Sequence, residues 1–204
     1  MELKTIVGEV EFSQKIKRSE FICHAGYVKS VREAVEFVKK TVNDFRDATH
    51  NCWAYRVMEN GKLLENCSDA GEPSGTAGKP ILMSLRKLKL ANVAVVITRY
   101  FGGVKLGKRG LMDAYSSTTY QGLKKATIVQ LGLFRIAECN MDYASFSRFE
   151  NLLKRKGGSI IEVEFSERVH VIAAVPCDIP LCEGCQIVDE KYMPAPAGCT
   201  TDFI

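Results

Sequence analysis

The sequence predicts an α+β protein in which an α/β domain precedes a smaller β-α-β-β unit and a Cys-rich tail. Three observations carry this prediction. Strand-like and helical hydrophobic patterns alternate up to about residue 132, and a strand, a helix and a hairpin follow over residues 133–176. From residue 177 to residue 204, prolines and cysteines replace periodic apolar residues. The β-α-β-β order is the first part of a ferredoxin-like unit, whose last helix and strand have no convincing counterpart in the tail.

Two strands and a helix open the chain. Alternating apolar residues predict strands over residues 6–12 and 20–28, joined by a basic turn. Ser30 and Glu33 form a capping-box signature that starts a helix. The apolar positions expected to face the core are Val31, Val35, Val38, Val42 and Phe45. A strand near residues 51–58 then meets the hairpin turn Glu59-Asn60-Gly61, and residues 62–66 return alongside it.

Two glycine-rich loops, residues 69–78 and 102–110, organise the middle of the chain. Between them the pattern predicts a helix over residues 79–89 and a strand over residues 92–101, whose AVVIT run is apolar enough to be buried on both faces. A further helix runs from Leu111 to about Lys125. The first half is therefore predicted to be a mixed sheet with helices on one face.

The second part begins with a strand over residues 133–141. Asp142 is a plausible N-cap for the helix that follows, and Gly157 closes that helix after three basic residues. Residues 159–165 and 169–175 form a hairpin pattern. We expect residues 178–204 to be poorly ordered unless something ties them down.

Cysteines offer one such tie. Four tail cysteines have the spacing C-x4-C-x2-C-x13-C, which is compatible with a metal site: Cys177, Cys182, Cys185 and Cys199. Four thiolates suit zinc, an iron–sulfur cluster is a weaker alternative, and a Cys-rich tail without a metal is the plain alternative. Otherwise no cofactor is predicted. The remaining cysteines are expected to be buried fillers: Cys23, Cys52, Cys67 and Cys139.

The composition indicates the class of protein and the cellular compartment to expect. The 204 residues are 46% hydrophobic and 25% charged, which is typical of one or two globular domains. No apolar run approaches the roughly 20 residues that span a bilayer, and MELKTIVGEVEF lacks a signal-peptide core. A cytoplasmic protein that does not bind membranes is therefore expected, with its cysteines mostly reduced or bound to metal.

The net charge of +4 is unevenly distributed along the chain. Residues 1–135 carry 22 Lys and Arg against 13 Asp and Glu, whereas residues 136–204 carry 6 against 11. A basic first half is compatible with a phosphate-bearing or acidic partner. It is equally compatible with solvated lysines that keep a small domain soluble, because no dense basic run occurs.

No complete catalytic set emerges from the motifs. The loop ending in GTAGKP lacks the first glycine and the Ser/Thr of a Walker A sequence, and Ser74 lies outside a nucleophile-elbow pattern. His50 and Cys52 share one face of a strand, which allows a thiol–histidine pair, but we expect a structural histidine because no group to orient His50 is identifiable. Asp69 and Glu72 would act as a carboxylate pair, bind a cation or, more commonly, cap loop N–H groups.

The two loops carry more of the groups needed for a binding site than of those needed for catalysis. Backbone N–H groups of GGVKLGKRG, next to a helix start near Arg109, suit an anion, and Tyr100 or Phe101 suits base stacking. We expect Arg99, Lys105 and Lys108 to line one shallow groove, unless Arg99 instead pairs with Asp69 or Glu72. The candidate ligand or nucleic-acid contacts are Glu72, Ser74, Thr76, Lys79, Arg99, Tyr100, Gly102, Gly103, Lys105, Lys108 and Arg109.

The motifs GEPSGTAGKPIL and VVITRYFGGVKLG, with HNCWAY upstream, resemble the YigZ/IMPACT (imprinted ancient) family of UPF0029-type proteins over roughly residues 8–175. The resemblance implies an N-terminal domain like ribosomal protein S5 domain 2, followed by a ferredoxin-like domain. It also implies a link to translation, since the eukaryotic members are associated with the translational stress response. One departure is Arg109, where the family has glycine.

Three function classes remain open. The first is a non-enzymatic cytoplasmic regulator of translation that binds RNA, the ribosome or a translation-associated protein. The second is a small enzyme acting on a phosphorylated or nucleotide ligand in the loops. The third is a protein-interaction module that uses exposed aromatic rings. Salt dependence separates the first from the third, because phosphate binding weakens steeply with salt, and a turnover screen tests the second.

Overall fold

The computed structural model of the protein describes residues 2–195, which contain four helices and ten strands. The strands are β1 (Lys4–Val7), β2 (Glu9–Ile16), β3 (Ser19–Tyr27), β4 (His50–Glu59), β5 (Lys62–Ser68), β6 (Val93–Tyr100), β7 (Thr127–Met141), β8 (Ser159–Phe165), β9 (Val169–Pro176) and β10 (Cys185–Ala195). The helices are α1 (Val31–Asp44), α2 (Gly78–Lys87), α3 (Gly107–Leu123) and α4 (Tyr143–Lys156). The chain divides into two compact units, one of residues 2–129 and one that starts at residue 130.

The first unit is built on a five-stranded sheet in the order β2-β3-β6-β4-β5, with helices on both faces. Val93, Val95 and Ile97 of the central strand β6 join the core beneath α2 and α3. The alternate residue Ala94 joins a smaller core beneath α1. Because β6 is apolar on both faces, each face needs a cover, so the prediction of helices on one face is wrong. The sheet is also antiparallel at each of its pairings rather than mixed.

A glycine divides the first predicted strand into two. Gly8 has a φ of +75°, which separates β1 from β2. Strand β2 then runs to Ile16, beyond the predicted end, and turns at Lys17 and Arg18, both of which have positive φ. The first strand therefore became two elements.

Helix α1 begins where the capping signature predicts but buries a different stripe. The Ser30 hydroxyl accepts the Glu33 N–H at 3.1 Å. The buried positions are Ala34, Val38 and Thr41, whereas Val35 is 36% exposed. The inner face of α1 is therefore rotated relative to the predicted stripe and shares Val38 with it.

The core beneath α1 contains the chain's sole tryptophan. Trp53 and Tyr55 lie two residues apart on β4, with their rings parallel and their centroids 5.8 Å apart. Tyr55 is buried, and Trp53 packs partly buried at the edge of the same cluster. This aromatic pair therefore belongs to the core of the first unit.

The second unit is a four-stranded antiparallel arrangement in the order β10-β7-β9-β8, with α4 packed against β8 and β9. Asp142 caps α4 by accepting the Ser145 N–H at 2.7 Å, and Gly157 ends it in a left-handed conformation, as predicted. Phe149 and Leu153 bury the inner stripe of α4 against the sheet.

The tail contributes a strand that the sequence did not predict. Strand β10 pairs antiparallel with β7 from Cys185 to Ala195, and a disulfide joins Cys139 to Cys185 within that ladder. Residues 177–184 form a turn segment where the second helix of a ferredoxin-like unit would stand. The described part of the tail is therefore ordered, because a ladder and a covalent link tie it down.

Among the described residues, no helix is both long and apolar enough to cross a membrane.

Candidate functional site

The first glycine loop is organised by one carboxylate. Asp69 accepts N–H groups from Gly75 at 2.8 Å, Ala77 at 2.9 Å and Gly78 at 2.8 Å. Partial burial alone would raise the pKa of Asp69, but these three donors outweigh it and hold the pKa below its usual range. Because Asp69 occupies the N-terminus of α2, that helix start is filled by the protein's own anion. Asp69 is a capping group.

A buried polar cluster lies where the first loop meets the end of β6. The Arg99 guanidinium pairs with the Glu72 carboxylate, and both residues are less than a tenth exposed. The Tyr115 hydroxyl donates to the same carboxylate at 2.9 Å. Burial, together with the neighbouring Cys52 and Glu72, raises the pKa of Tyr115, so its hydroxyl stays protonated and donates. Glu72 thereby joins the first loop to β6 and α3.

The expectation that Arg99 lines an exposed groove is wrong. Arg99 is 5% exposed, and its charge is neutralised by Glu72, which was the stated alternative. Glu72 and Thr76 are likewise buried. Thr76 donates its hydroxyl to the Pro73 carbonyl at 2.6 Å and so supports the loop from within. These three candidate ligand contacts are structural groups.

The second loop is anchored at its base by hydroxyl groups that sequence reasoning missed. Ser19 Oγ accepts the Gly102 N–H at 3.2 Å and lies 3.4 Å from Arg99 Nη2. Thr49 Oγ1 accepts the Phe101 N–H at 3.0 Å. A Cβ on Gly102 would lie 1.9 Å from the Arg18 carbonyl oxygen, so only glycine fits there. Ser19 starts β3 and Thr49 lies between α1 and β4, both far from the loop in sequence, so no local pattern signals these contacts.

The two aromatic candidates differ in exposure and in role. Tyr100 is half-buried and donates its hydroxyl to Asp47 at 3.0 Å. Phe101 is 45% exposed, and the Arg99 guanidinium lies 5.4 Å from its ring centroid. The ring available for stacking is therefore Phe101, whereas Tyr100 holds the strand end.

The basic groups of the second loop remain on the surface. Lys105, Lys108 and Arg109 are exposed, as is Gly103, and none of the three cations has an ion pair among the described residues. Helix α3 starts at Gly107, and its N-cap Leu106 makes no side-chain capping bond. The free N–H groups of its first turn and three cations therefore share one exposed helix start, which favours an anion. Ser74 and Lys79 are also exposed, on the first loop and on α2.

The proposed thiol–histidine pair is not formed. His50 Nδ1 lies 3.0 Å from the Ala70 carbonyl, and Nε2 lies 4.0 Å from Glu72. The Cys52 thiol instead lies 2.9 Å from the Asp69 carbonyl oxygen, and burial raises its pKa to about 12. A thiol with so high a pKa is a poor nucleophile near neutral pH.

The three tail cysteines that the structure describes are not gathered into one site. Cys185 is bonded to Cys139, and Cys177 and Cys182 are exposed free thiols. Cys199 lies outside the described residues. Within residues 2–195, no group of three or more His, Cys, Asp or Glu side chains is placed to hold a metal ion. Of the four predicted fillers, Cys23 and Cys52 are buried and Cys67 is half-buried. The prediction is wrong for Cys139, which is buried but bonded to Cys185.

Comparison with known proteins gives consistent matches along most of the chain. The Impact N-terminal domain matches residues 17–123, and a domain of unknown function (DUF1949) matches residues 139–179. The IMPACT family member YvyE of Bacillus subtilis is 42% identical over 76% of this chain and 70% of its own. YigZ of Escherichia coli is 32% identical over 80% of each chain. The crystal structure of a hypothetical protein aligns with a TM-score of 0.60 and 30% identity, covering 86% of this chain and 85% of its own.

Proposed function

From the premise that the chain belongs to the IMPACT family, we propose that it is a non-enzymatic regulator of translation in the cytoplasm that binds RNA, free or within the ribosome. The class of partner follows the family, whose eukaryotic members are associated with the translational stress response. The contact surface follows from one observation: Lys105, Lys108 and Arg109 lie around the open start of α3 without an ion pair to any residue that the structure describes. We call these three residues, with the first turn of α3, the basic helix start.

Phosphate chemistry suits this surface. Helix N–H groups bind a phosphate oxygen directly, and lysine and arginine side chains neutralise the neighbouring phosphates. Phe101, exposed at the entrance to the same loop, offers a ring on which an unpaired base stacks. Together these groups favour a flexible single-stranded segment, because its bases are free to leave their own stack.

The test replaces Lys105 and Lys108 together by alanine. Both side chains are exposed, so the free energy of unfolding should change by less than about 0.5 kcal/mol for each. Affinity for a single-stranded RNA oligonucleotide and for purified ribosomes should fall. The slope of log affinity against log salt should shrink by about 1.4 units if both lysines contact phosphates.

The matched control is Lys39→Ala with Lys40→Ala on α1, which removes the same charge from another exposed site. Its RNA affinity and salt slope should stay close to those of the wild type. Equal losses in the two double variants would mean that net charge, rather than the basic helix start, governs binding. An unchanged affinity in folded K105A/K108A protein would refute the proposed surface.

A further inference from the structure

A groove between α2 and α3 lies next to the basic helix start, one turn further along α3, but shares no lining residue with it and has a different chemistry. It has a volume of about 790 Å³, and its walls come from the outer faces of the two helices. We call it the α2–α3 groove. Its floor is narrow because small side chains meet there, with Ser84 Oγ 3.4 Å from Ser116 Oγ.

Two methionines form the apolar walls of this groove. Met83 on α2 is 64% exposed and Met112 on α3 is 45% exposed, and both line the cavity. A single exposed apolar residue is ordinary, but two on facing walls of one groove form an unpartnered apolar strip. Methionine is flexible and polarisable, so it adapts to apolar side chains of varied shape.

The rim of the α2–α3 groove is positive. Lys79 and Lys87 lie eight residues apart on α2, which separates them by about 12 Å along the helix axis. Both are exposed, and neither forms an ion pair among the described residues. Arg86 also lines the groove but is occupied by Glu65. Asp113 is the one carboxylate among the described lining residues.

We propose that the α2–α3 groove binds an acidic amphipathic helix of a partner protein. The apolar face of that helix would lie between Met83 and Met112, and its carboxylates would meet Lys79 and Lys87, one at each end of about two turns. RNA fits less well, because methionine supplies neither a planar ring for stacking nor a donor to phosphate. A second copy of this chain fits less well too, since none of its four described helices carries a net negative charge.

The test uses three synthetic peptides of about four helical turns each and the full-length protein. The first carries leucines at i, i+3, i+4 and i+7 with glutamates on its other face. The second has the same composition with the leucines scattered around the helix, and the third replaces the glutamates by lysines. Calorimetry should detect micromolar binding of the first peptide only, weakening with salt. In methyl NMR spectra, the signals of Met83 and Met112 should move on binding.

Two variants locate the site, and each has a matched control. Met83→Glu should lower the affinity for the acidic peptide at least about tenfold, as should Lys79→Glu with Lys87→Glu. The controls are Val35→Glu, at an exposed apolar position of α1, and Lys39→Glu with Lys40→Glu. Because α1 covers the opposite face of the sheet, both controls should bind the peptide as the wild type does.

Several outcomes would overturn the proposal. The acidic amphipathic peptide failing to bind is one, and equal binding of the scattered or lysine peptide is another. Full affinity in folded M83E protein would exclude the groove. Displacement of the peptide by single-stranded RNA with equal loss of RNA binding in M83E would assign the groove to RNA. Dimerisation of the wild type that M83E abolishes would assign it to a second copy.

Discussion

Arg99 and Glu72 show that a charged pair can be a structural tie at the centre of a family motif. Their contact joins the first glycine loop to the end of β6, and Tyr115 adds a third group from α3. Charged side chains are almost never fully buried unless paired, so each member depends on the other.

Removing one member alone should therefore be costly. We expect Arg99→Met to destabilise the protein by about 3–5 kcal/mol, because Glu72 is left buried and charged. The double variant R99M with Glu72→Gln should lose less than the sum of the two single losses, and urea unfolding followed by circular dichroism measures each value. The exposed pair Arg32–Glu36 on α1 should show a much smaller coupling. Additive losses at Arg99 and Glu72 would contradict a mutual dependence.

The sequence allows the prediction that Arg99 is paired with a carboxylate, although it does not decide which carboxylate. A strand apolar on both faces must be central, so an arginine at its end needs a buried counter-charge. Asp69 and Glu72 were the nearest carboxylates in the motif, and nothing local distinguishes them. Tertiary contacts decide between the two carboxylates. Asp69 accepts three backbone N–H groups of its own loop and helix start, so Glu72 is the carboxylate that pairs with Arg99.

At the scale of elements, helix α2 depends on a cap that lies eight residues before its own N-cap position. Ala77 at that position supplies no side-chain bond, and Asp69 takes its place. The loop and the helix are therefore expected to lose order together when this carboxylate is neutralised.

Acid should weaken this cap. The pKa of Asp69 is lowered in the folded protein, so its stabilisation is complete above the unfolded value of about 3.9 and is lost as pH falls through the lower folded value. Asp69→Asn should cost about 1–2 kcal/mol at neutral pH, and its deficit relative to wild type should shrink as pH falls from about 5 towards 2. Urea unfolding at each pH measures this difference. The control Glu167→Gln, at an exposed residue, should change the free energy of unfolding by less than about 0.5 kcal/mol at neutral pH. A deficit that is constant with pH would argue against the carboxylate cap.

Strand β10 was missed for a physical reason. Its sequence carries Pro194, which normally argues against a central strand, and its exposed residues do not alternate with buried ones. In the fold it pairs with β7 at an edge, where a proline is tolerated.

Strands with two apolar faces and helices with caps, such as β6 and α4, can be predicted from local sequence. Gly8, which divides the first strand, and Cys185, which bonds to Cys139, act through contacts that no local pattern displays.

For the whole molecule, the disulfide makes the stability of the second unit depend on redox conditions. It closes a sequence separation of 46 residues between β7 and β10. Replacing Cys139 and Cys185 by alanine should destabilise this unit by about 2–4 kcal/mol, since the unfolded chain regains freedom. Hydrogen exchange should accelerate in β10 and stay unchanged in residues 10–120. The control removes the exposed thiols of Cys177 and Cys182 and should leave both regions unaffected. Equal acceleration throughout the chain would show that the two units open as one.

Because the chain has a single tryptophan, tryptophan fluorescence reports on one of the two units. Trp53 lies on β4 against Tyr55, partly buried at the edge of the core beneath α1 in the first unit. Its fluorescence should therefore change when that core opens and should not change when β10 or α4 unfolds. A denaturation curve from tryptophan emission alone would describe residues 2–129 and would present a protein with an already opened second unit as fully native.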